Sequence, residues 1–439
     1  MNGVTKLKVL LGFVILLLLG AILFVVNKQS QKLPNIVIIL IDTLRADHLG
    51  VYGYERDTSP NIDRFAKESV VFQRALSAAS WTPPGTTSVL SGLYPSAHTN
   101  QPPKRLSTAS HVGNKIPMEV KLLPELLKIK NYQTTALSSN PWITEEFGFD
   151  RGFDLFYYVK HMDAKSIIER SKKSIDRFLT KKDVPFFLYL HLIDPHDPYT
   201  SHPEYAYDGK LKEREYSETV MQKMNSYDSE IKFTDVQLGV FFEYLRAKGL
   251  YDDTIIVLVS DHGEAFDEHG FTGHGFNLNI EEVHVPLIIK GLSAPGTVTN
   301  TVSQVDIVPT ILEKVGIAQP YALAGISLSN SDAIKNRTGV YAETYRIYRQ
   351  RAFSTNGGER LIMEMGDMWN PKETMGPKGL YDLNKDPHEA KLLEDPLVFA
   401  ELKGYLDSMV TKNTPLSTTQ EVKIEDKTLE QLETLGYIN

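Results

Sequence analysis

The 439-residue chain contains no cysteine. Disulfides, thiolate metal sites and a cysteine nucleophile are therefore excluded, and bonding says nothing about the redox compartment. Runs of one charge are missing as well. Lys and Arg number 47 against 55 Asp and Glu, a formal charge of −8. Without a Lys/Arg-rich stretch there is no phosphate-backbone footprint, so nucleic acid is set aside as a partner. Internal repeats and low-complexity tracts are also lacking. What is present is ordinary globular usage, 42% hydrophobic and 23% charged, which excludes a disordered, collagen-like or polytopic membrane chain. The length suits one large α/β domain with a smaller one beside it.

One long apolar run stands at the N-terminus, residues 9–26, broken only by Gly12 and Gly20, preceded by Lys6 and Lys8 and closed by Asn27-Lys28. It approaches the ~18–20 residues that span a bilayer and exceeds the usual apolar core of a signal peptide. No small-x-small cleavage site follows. The run predicts a signal anchor over residues 1–28, one transmembrane helix with the remainder extracytoplasmic, periplasmic or extracellular. A cleaved signal peptide is the alternative, and the flanking lysines do not fix orientation.

Beyond a short polar link, Asn35–Ile41 is a continuous β-branched run ending at Asp42. Such a run reads as a strand buried on both faces of a sheet. Similar runs occupy Phe186–Leu192, Thr254–Val259 and 285–289, with helical spacing between them at 122–130, 164–180 and from Ile231 through Leu245 to Gly249. Strands alternating with helices predict an α/β fold with a largely parallel sheet sandwiched by helices. Three runs end in polar residues: Asp42, then His191 to Asp194-Pro-His196, then Ser260-Asp261-His262-Gly-Glu264. Ligands bind outside the carboxyl ends of parallel strands, so these endings can converge on one site. After residue 330 come short strand-like pieces at 351–354, 360–365 and 380–383 and a helix at 398–411, read as a small α+β subdomain over 331–439 behind a domain over 34–330.

Ser80-Trp-Thr82-Pro83-Pro84-Gly85-Thr86 is the most informative segment. The two prolines suit a helix start, with Thr82 just before it and the amides of Gly85 and Thr86 free to meet an anion. An N-cap role is the plain alternative for Thr82.

These segments, in order, resemble the sulfatase family of the alkaline-phosphatase superfamily: Asp42-Thr-Leu-Arg-Ala-Asp-His-Leu-Gly50, Ser59-Pro-Asn-Ile-Asp-Arg64, the Thr82 segment through Gly92-Leu-Tyr-Pro95, Asp194-Pro-His196, Ser260-Asp-His-Gly-Glu264, Glu268-His-Gly270 and Gly273-His-Gly275. The stretch from Leu380 to Glu389 and the ending Leu432-Glu-Thr-Leu-Gly-Tyr437 resemble its C-terminal part. The resemblance implies a divalent cation held by Asp42, Thr82, Asp261 and His262, with Thr82 as nucleophile. It also implies roles for His196 and His274 at the ester oxygens or the leaving group, and for Gly85, Thr86 and Asn140 in substrate binding. Hard oxygen donors with a single His point to Ca, Mg or Mn, and zinc also fits. His98, His191, His269 and His284 are read as hydrogen-bonded structural residues.

The chain departs from sulfatases proper where their modified Cys or Ser stands: the position is Thr82, the Arg position is Thr86, and no formylglycine is expected. Thr43 replaces the paired acid beside Asp42, and Ser139-Asn140 replaces a Lys and His. Without a hydrated aldehyde to eject sulfate, the departures favour phosphate mono- or diesters over sulfate esters, in hydrolysis through Thr82. The alternatives are a transferase moving a phospho-head group to an envelope lipid or glycan, and a non-catalytic protein that binds an anionic ligand.

Overall fold

The computed structural model describes residues 32–100, 112–160, 162–181, 183–200, 202–208, 216–346, 348–367, 376–435 and 437. The apolar run 9–26 lies outside them. Among the described residues no helix is long and apolar enough to cross a membrane.

The main sheet is built from β1 (Asn35–Ile41), β2 (Val70–Leu76), β3 (Gln133–Ser138), β4 (Leu155–Tyr158), β5 (Phe186–Leu192), β6 (Thr254–Val259), β7 (His284–Val285), β8 (Leu287–Lys290) and β9 (Gly296–Ser303). Its centre runs β6-β1-β5-β3-β4, all parallel. On the β6 side, β8 and β7 run antiparallel and pair with β2, whose other edge carries β9 in parallel. The sheet is thus mostly parallel and flanked by helices, as expected. Every residue of β1, β5 and β6 is buried, which is why these strands read as unbroken Val/Ile/Leu/Phe runs rather than alternating ones. The expected strand at 285–289 is interrupted by Pro286, which has no N–H for the ladder.

Three helices bear on the site. Helix α1 (Thr82–Ser91) is wholly buried and ends at Gly92 in the left-handed conformation. Helix α2 (Ala164–Phe178) starts at Asp163, whose side chain accepts from the Ser166 N–H, and buries Ile167, Ile168, Ser171, Ser174, Ile175 and Phe178 at three- and four-residue spacing. Helix α3 (Glu218–Ala247), capped by Ser217, packs against the β1, β5 and β6 side chains with Ile231, Leu238, Phe241 and Leu245 in the same core.

A second sheet of four antiparallel strands, Gly339–Thr344, Tyr348–Thr355, Glu359–Asp367 and Gly376–Asp382, follows in simple up-and-down order. The helix Pro396–Lys412 covers it through Leu402 and Leu406. The chain then returns to the main sheet's side. Gln420–Lys423 pairs with Val112–Lys115, Glu146 accepts from Glu425 N and Thr428 Oγ1 at 2.9 Å each, and the helix Asp426–Thr434 leads to Tyr437.

Candidate active site

Four neighbouring parallel strands deliver polar residues from their carboxyl ends to one place. Asp42 follows β1, Asp261 and His262 follow β6, His191 and His196 lie on and after β5, and Asn140 lies after β3. All six are buried. The fifth contributor is α1, whose first residue is Thr82. The helix can approach because residue 85 is glycine: a Cβ there would lie 2.6 Å from the Asp261 carbonyl oxygen.

Thr82 Oγ1 lies 3.2 Å from His262 Nε2 and 3.0 Å from the Tyr437 hydroxyl. Its side chain does not cap the helix; the capping position belongs to Trp81, without a side-chain bond. The plain N-cap reading of Thr82 therefore fails, and the hydroxyl faces the carboxylate cluster. His262 Nε2 is 3.5 Å from Asp42 Oδ1 and 3.7 Å from Asp261 Oδ2. Asp42, Asp261 and His191 each offer a ligand atom within 4.8 Å of the others.

Asp42 Oδ2 accepts from Asn140 Nδ2 at 2.5 Å and meets His191 Nε2 at 3.1 Å, while His191 Nδ1 meets the Tyr189 hydroxyl at 3.0 Å. His191, read from the sequence as structural, thus orients Asp42. Asp42 Oδ1 is buried with no hydrogen-bond partner among the described residues. Burial opposes ionisation of Asp42, but the His191 hydrogen bond and the neighbouring imidazoles hold it below the usual carboxylate range. Asp261, equally buried and facing the charge of Asp42, is pushed well above it. Two buried carboxylates facing each other, with no Lys or Arg among the described residues paired to either, make a place that a cation would neutralise.

Thr43 adopts a left-handed backbone (φ 56°), unusual for a β-branched residue. The turn aims its N–H at Asp261 Oδ1, 3.4 Å away, and its hydroxyl at the Pro195 carbonyl, 3.1 Å away. It braces the two strand ends.

His196 and His274 face each other with ring centroids 4.9 Å apart, and His262 lies 4.5 Å from His274. Both His196 Nε2 and His274 Nε2 are buried without a partner among the described residues. His274 Nδ1 is held by Glu264, 3.3 Å from Oε1. Burial, with the charges of His196 and Arg346 nearby, pushes the His274 pKa well below the usual imidazole range. Two imidazole nitrogens are therefore available beside Thr82.

Two of the substrate-binding expectations change. The Gly85 N–H donates to the Trp81 carbonyl at 3.1 Å, so that amide is engaged within the helix and the residue serves close packing instead. Thr86 Oγ1 points at Asp261 Oδ2, 3.4 Å away, and supports a carboxylate. Asn140 is drawn into the site, bonded to Asp42 and, at 2.9 Å, to the Tyr437 hydroxyl. His98, His269 and His284 are occupied elsewhere, by Ser88, Glu281 and the Gln73 carbonyl.

Sequence reasoning missed three residues. A cavity of about 150 Å³ beside Thr82 is lined by His196, Tyr199, Lys223, Glu264, His274, Arg346 and Tyr437. Arg346 donates to the His274 and Tyr437 carbonyls and lies over the Trp81 ring at 5.6 Å. With Lys223 it gives the cavity two cationic side chains, suited to an anion. Tyr437 carried only one signal, its place in the Leu-Gly-Tyr ending.

The family model described as Sulfatase matches residues 34–317, and the chain belongs to that family; it is a hydrolase of it. It is 23% identical over 469 residues to an ulvan-active sulfatase of Formosa agariphila, covering 94% of this chain and 87% of that protein. To a lipoteichoic acid synthase of Staphylococcus saprophyticus it is 26% identical over 253 residues, 53% of this chain and 38% of that one. The solved phosphonate monoester hydrolase of Agrobacterium radiobacter shares the fold with a TM-score of 0.67 at 18% identity, over 86% of this chain and 95% of that one. Enzymes of this family are metal-dependent. Asp42 and Asp261, with His262 Nε2 3.5 and 3.7 Å from them, Thr82 Oγ1 3.2 Å from that nitrogen, and Asp42 Oδ1 without a hydrogen-bond partner among the described residues, fit a divalent cation, with His191 holding Asp42.

Proposed function

We propose that this sulfatase-family hydrolase cleaves phosphate mono- or diesters, in preference to sulfate esters, with Thr82 as nucleophile. The observation that carries the reading is the Thr82 hydroxyl on the first residue of a buried helix, 3.2 Å from His262 Nε2, which itself lies 3.5 Å from Asp42 and 3.7 Å from Asp261. A helix N-terminus favours the negative charge that an alkoxide and an attached phosphoryl group bring. Asp42, Thr82, Asp261 and His262 would hold one divalent cation, Ca, Mg or Mn, which when bound lowers the pKa of the threonine hydroxyl and screens the ester's charge.

Thr82 Oγ1, its proton given up to solvent as the cation's effect on its pKa would allow, forms a bond to phosphorus as the ester's P–O bond breaks. The departing alkoxide takes a proton from His196 or from water, while His274 offers its Nε2 toward the ester oxygens. Water then attacks the phosphothreonine in line, the Oγ1–P bond breaks, Oγ1 recovers a proton from that water, and phosphate (from a monoester) or a phosphate monoester (from a diester) leaves with Thr82 restored. Arg346 and Lys223 bind the anion in the adjoining cavity. Phosphothreonine can be released this way. A threonine sulfate lacks the aldehyde route by which a hydrated formylglycine expels sulfate, which is the reason for preferring phosphate.

A second reading, transfer of a phospho-head group to an envelope lipid or glycan, is favoured by the similarity to lipoteichoic acid synthase over about half of this chain. The apolar run 9–26 supports an N-terminal anchor that holds the domain outside the cytoplasm near such substrates. The test is release of p-nitrophenol from its phosphate, bis-phosphate and sulfate esters by the full-length protein, with and without a chelator. Metal-dependent phosphoester cleavage lost in Thr82→Ala supports the reading; cleavage of the sulfate ester alone overturns it. Turnover that requires an added acceptor alcohol selects transfer.

A further inference from the structure

On the far side of His196, a second group of side chains converges. Asp194, just after β5, His202, at the head of the turn Pro203–Tyr205, and Glu230, within α3, each offer a ligand atom, and the three atoms lie within 4.8 Å of one another. None of them belongs to the Thr82 centre.

Two of the three keep a buried ligand atom without a hydrogen-bond partner among the described residues. Glu230 is 3% exposed; its Oε1 accepts from the Thr200 N–H at 2.7 Å, and its Oε2 is buried with no partner among the described residues. His202 stacks on Phe233 with centroids 4.1 Å apart, and its backbone is clamped by Ser229, yet Nε2 is buried with no partner among the described residues. Asp194 spends Oδ2 on the Ala164 N–H at 2.8 Å.

Acidic side chains outnumber cationic ones here, Lys160 being the cation that lines the adjoining cavity. Asp163 and Asp197 add negative potential, and among the described residues no Lys or Arg forms an ion pair with Asp194 or Glu230. Buried carboxylates with no cationic side chain paired to them need protons or a cation.

We propose that Asp194, His202 and Glu230 form a second divalent-cation site, separate from the Asp42–Asp261 centre. One imidazole and two carboxylates suit Zn²⁺ or Mn²⁺ better than Ca²⁺, which favours an all-oxygen shell. Three protein ligands leave coordination positions open, and a cavity of about 210 Å³ bordered by Ser139, Lys160, His196 and Glu230 adjoins them. Asp194 stands two residues before His196, so a cation here would also fix the turn that presents His196 to the reacting ester.

The experiment is a metal count. Full-length protein in mild detergent is stripped with chelator, loaded with Mn²⁺ or Zn²⁺, freed of excess, and assayed for bound metal by mass spectrometry. Wild type should hold two equivalents, His202→Gln and Glu230→Gln one each, and the double variant Asp42→Asn/Asp261→Asn one. His202 is partly exposed, so His202→Gln should keep the fold, checked by circular dichroism, while weakening the second equivalent at least ~10-fold. A single equivalent lost in His202→Gln but kept in Asp42→Asn/Asp261→Asn supports this site while sinking the Thr82 metal centre. Equal metal content in wild type, His202→Gln and Glu230→Gln overturns the proposal.

Discussion

In the second sheet, Arg360 is fully buried, yet every part of its guanidinium is answered. Nε donates to Glu389 Oε1 at 2.7 Å, Nη1 to Ser354 Oγ at 2.6 Å, and Nη2 to the Leu278 carbonyl. Glu389 in turn accepts from Asn279 Nδ2 and the Ile280 N–H. At the carboxyl end of the main sheet, Asp42 and Asp261 are buried as deeply, but they face each other, and among the described residues no Lys or Arg pairs with either and Asp42 Oδ1, His196 Nε2 and His274 Nε2 have no hydrogen-bond partner. Burial alone therefore does not mark a site. A buried charge cluster that closes on itself holds the fold, and one left open is built for a ligand.

The contrast can be broken from either side. The largest effect is expected at Thr82: Thr82→Ala should reduce turnover about 10⁴-fold or more, while stability changes by about 1 kcal/mol or less, the worth of one hydrogen bond. Steady-state kinetics beside thermal melting checks both halves. In the second sheet the expectation reverses. Arg360→Met leaves Glu389 buried without its partner and should cost about 3–5 kcal/mol of stability, measured by urea unfolding, with kcat of the folded fraction unchanged. Loss of activity without loss of stability would erase the distinction.

Two smaller effects sharpen it. Tyr437→Phe removes a hydroxyl bonded to both Thr82 and Asn140 and should lower kcat/KM about 10-fold, the equivalent of one hydrogen bond of about 1.4 kcal/mol. Its melting temperature should stay close to wild type. Asp261→Asn should make the chelator-treated protein more stable by on the order of 1 kcal/mol, because the amide no longer faces the Asp42 charge. The same variant should lose metal affinity, so that added metal stabilises wild type and not the variant.

How much could be read in advance follows from the range of each interaction. Strands β1, β5 and β6 were legible to the residue because both faces are buried and nearly every position is apolar. Strand β3, Gln-Thr-Thr-Ala-Leu-Ser, escaped because its buried threonines look polar in sequence, and β9 escaped because most of its residues 296–300 are exposed. Asp42, Thr82, Asp261 and His262 were legible as local motifs at strand and helix ends. The roles of Gly85 and Thr86 were not, since both depend on how closely α1 meets Asp261. Tyr437 lies 355 residues from Thr82, and only the return of the tail across Val112–Lys115 brings them together. The cationic lining from Arg346 and Lys223 likewise depends on two distant segments meeting at one cavity.

The most direct measurement is to trap the intermediate. The metal-loaded protein is mixed with a phosphodiester or phosphomonoester, quenched in acid during turnover, digested and sequenced by mass spectrometry. A phosphoryl group on Thr82, present at quench, lost on chase with unlabelled buffer and absent from Thr82→Ala, is the result expected. Turnover with an unmodified Thr82 peptide, or with the group on another residue, would contradict the central claim that this threonine is the nucleophile.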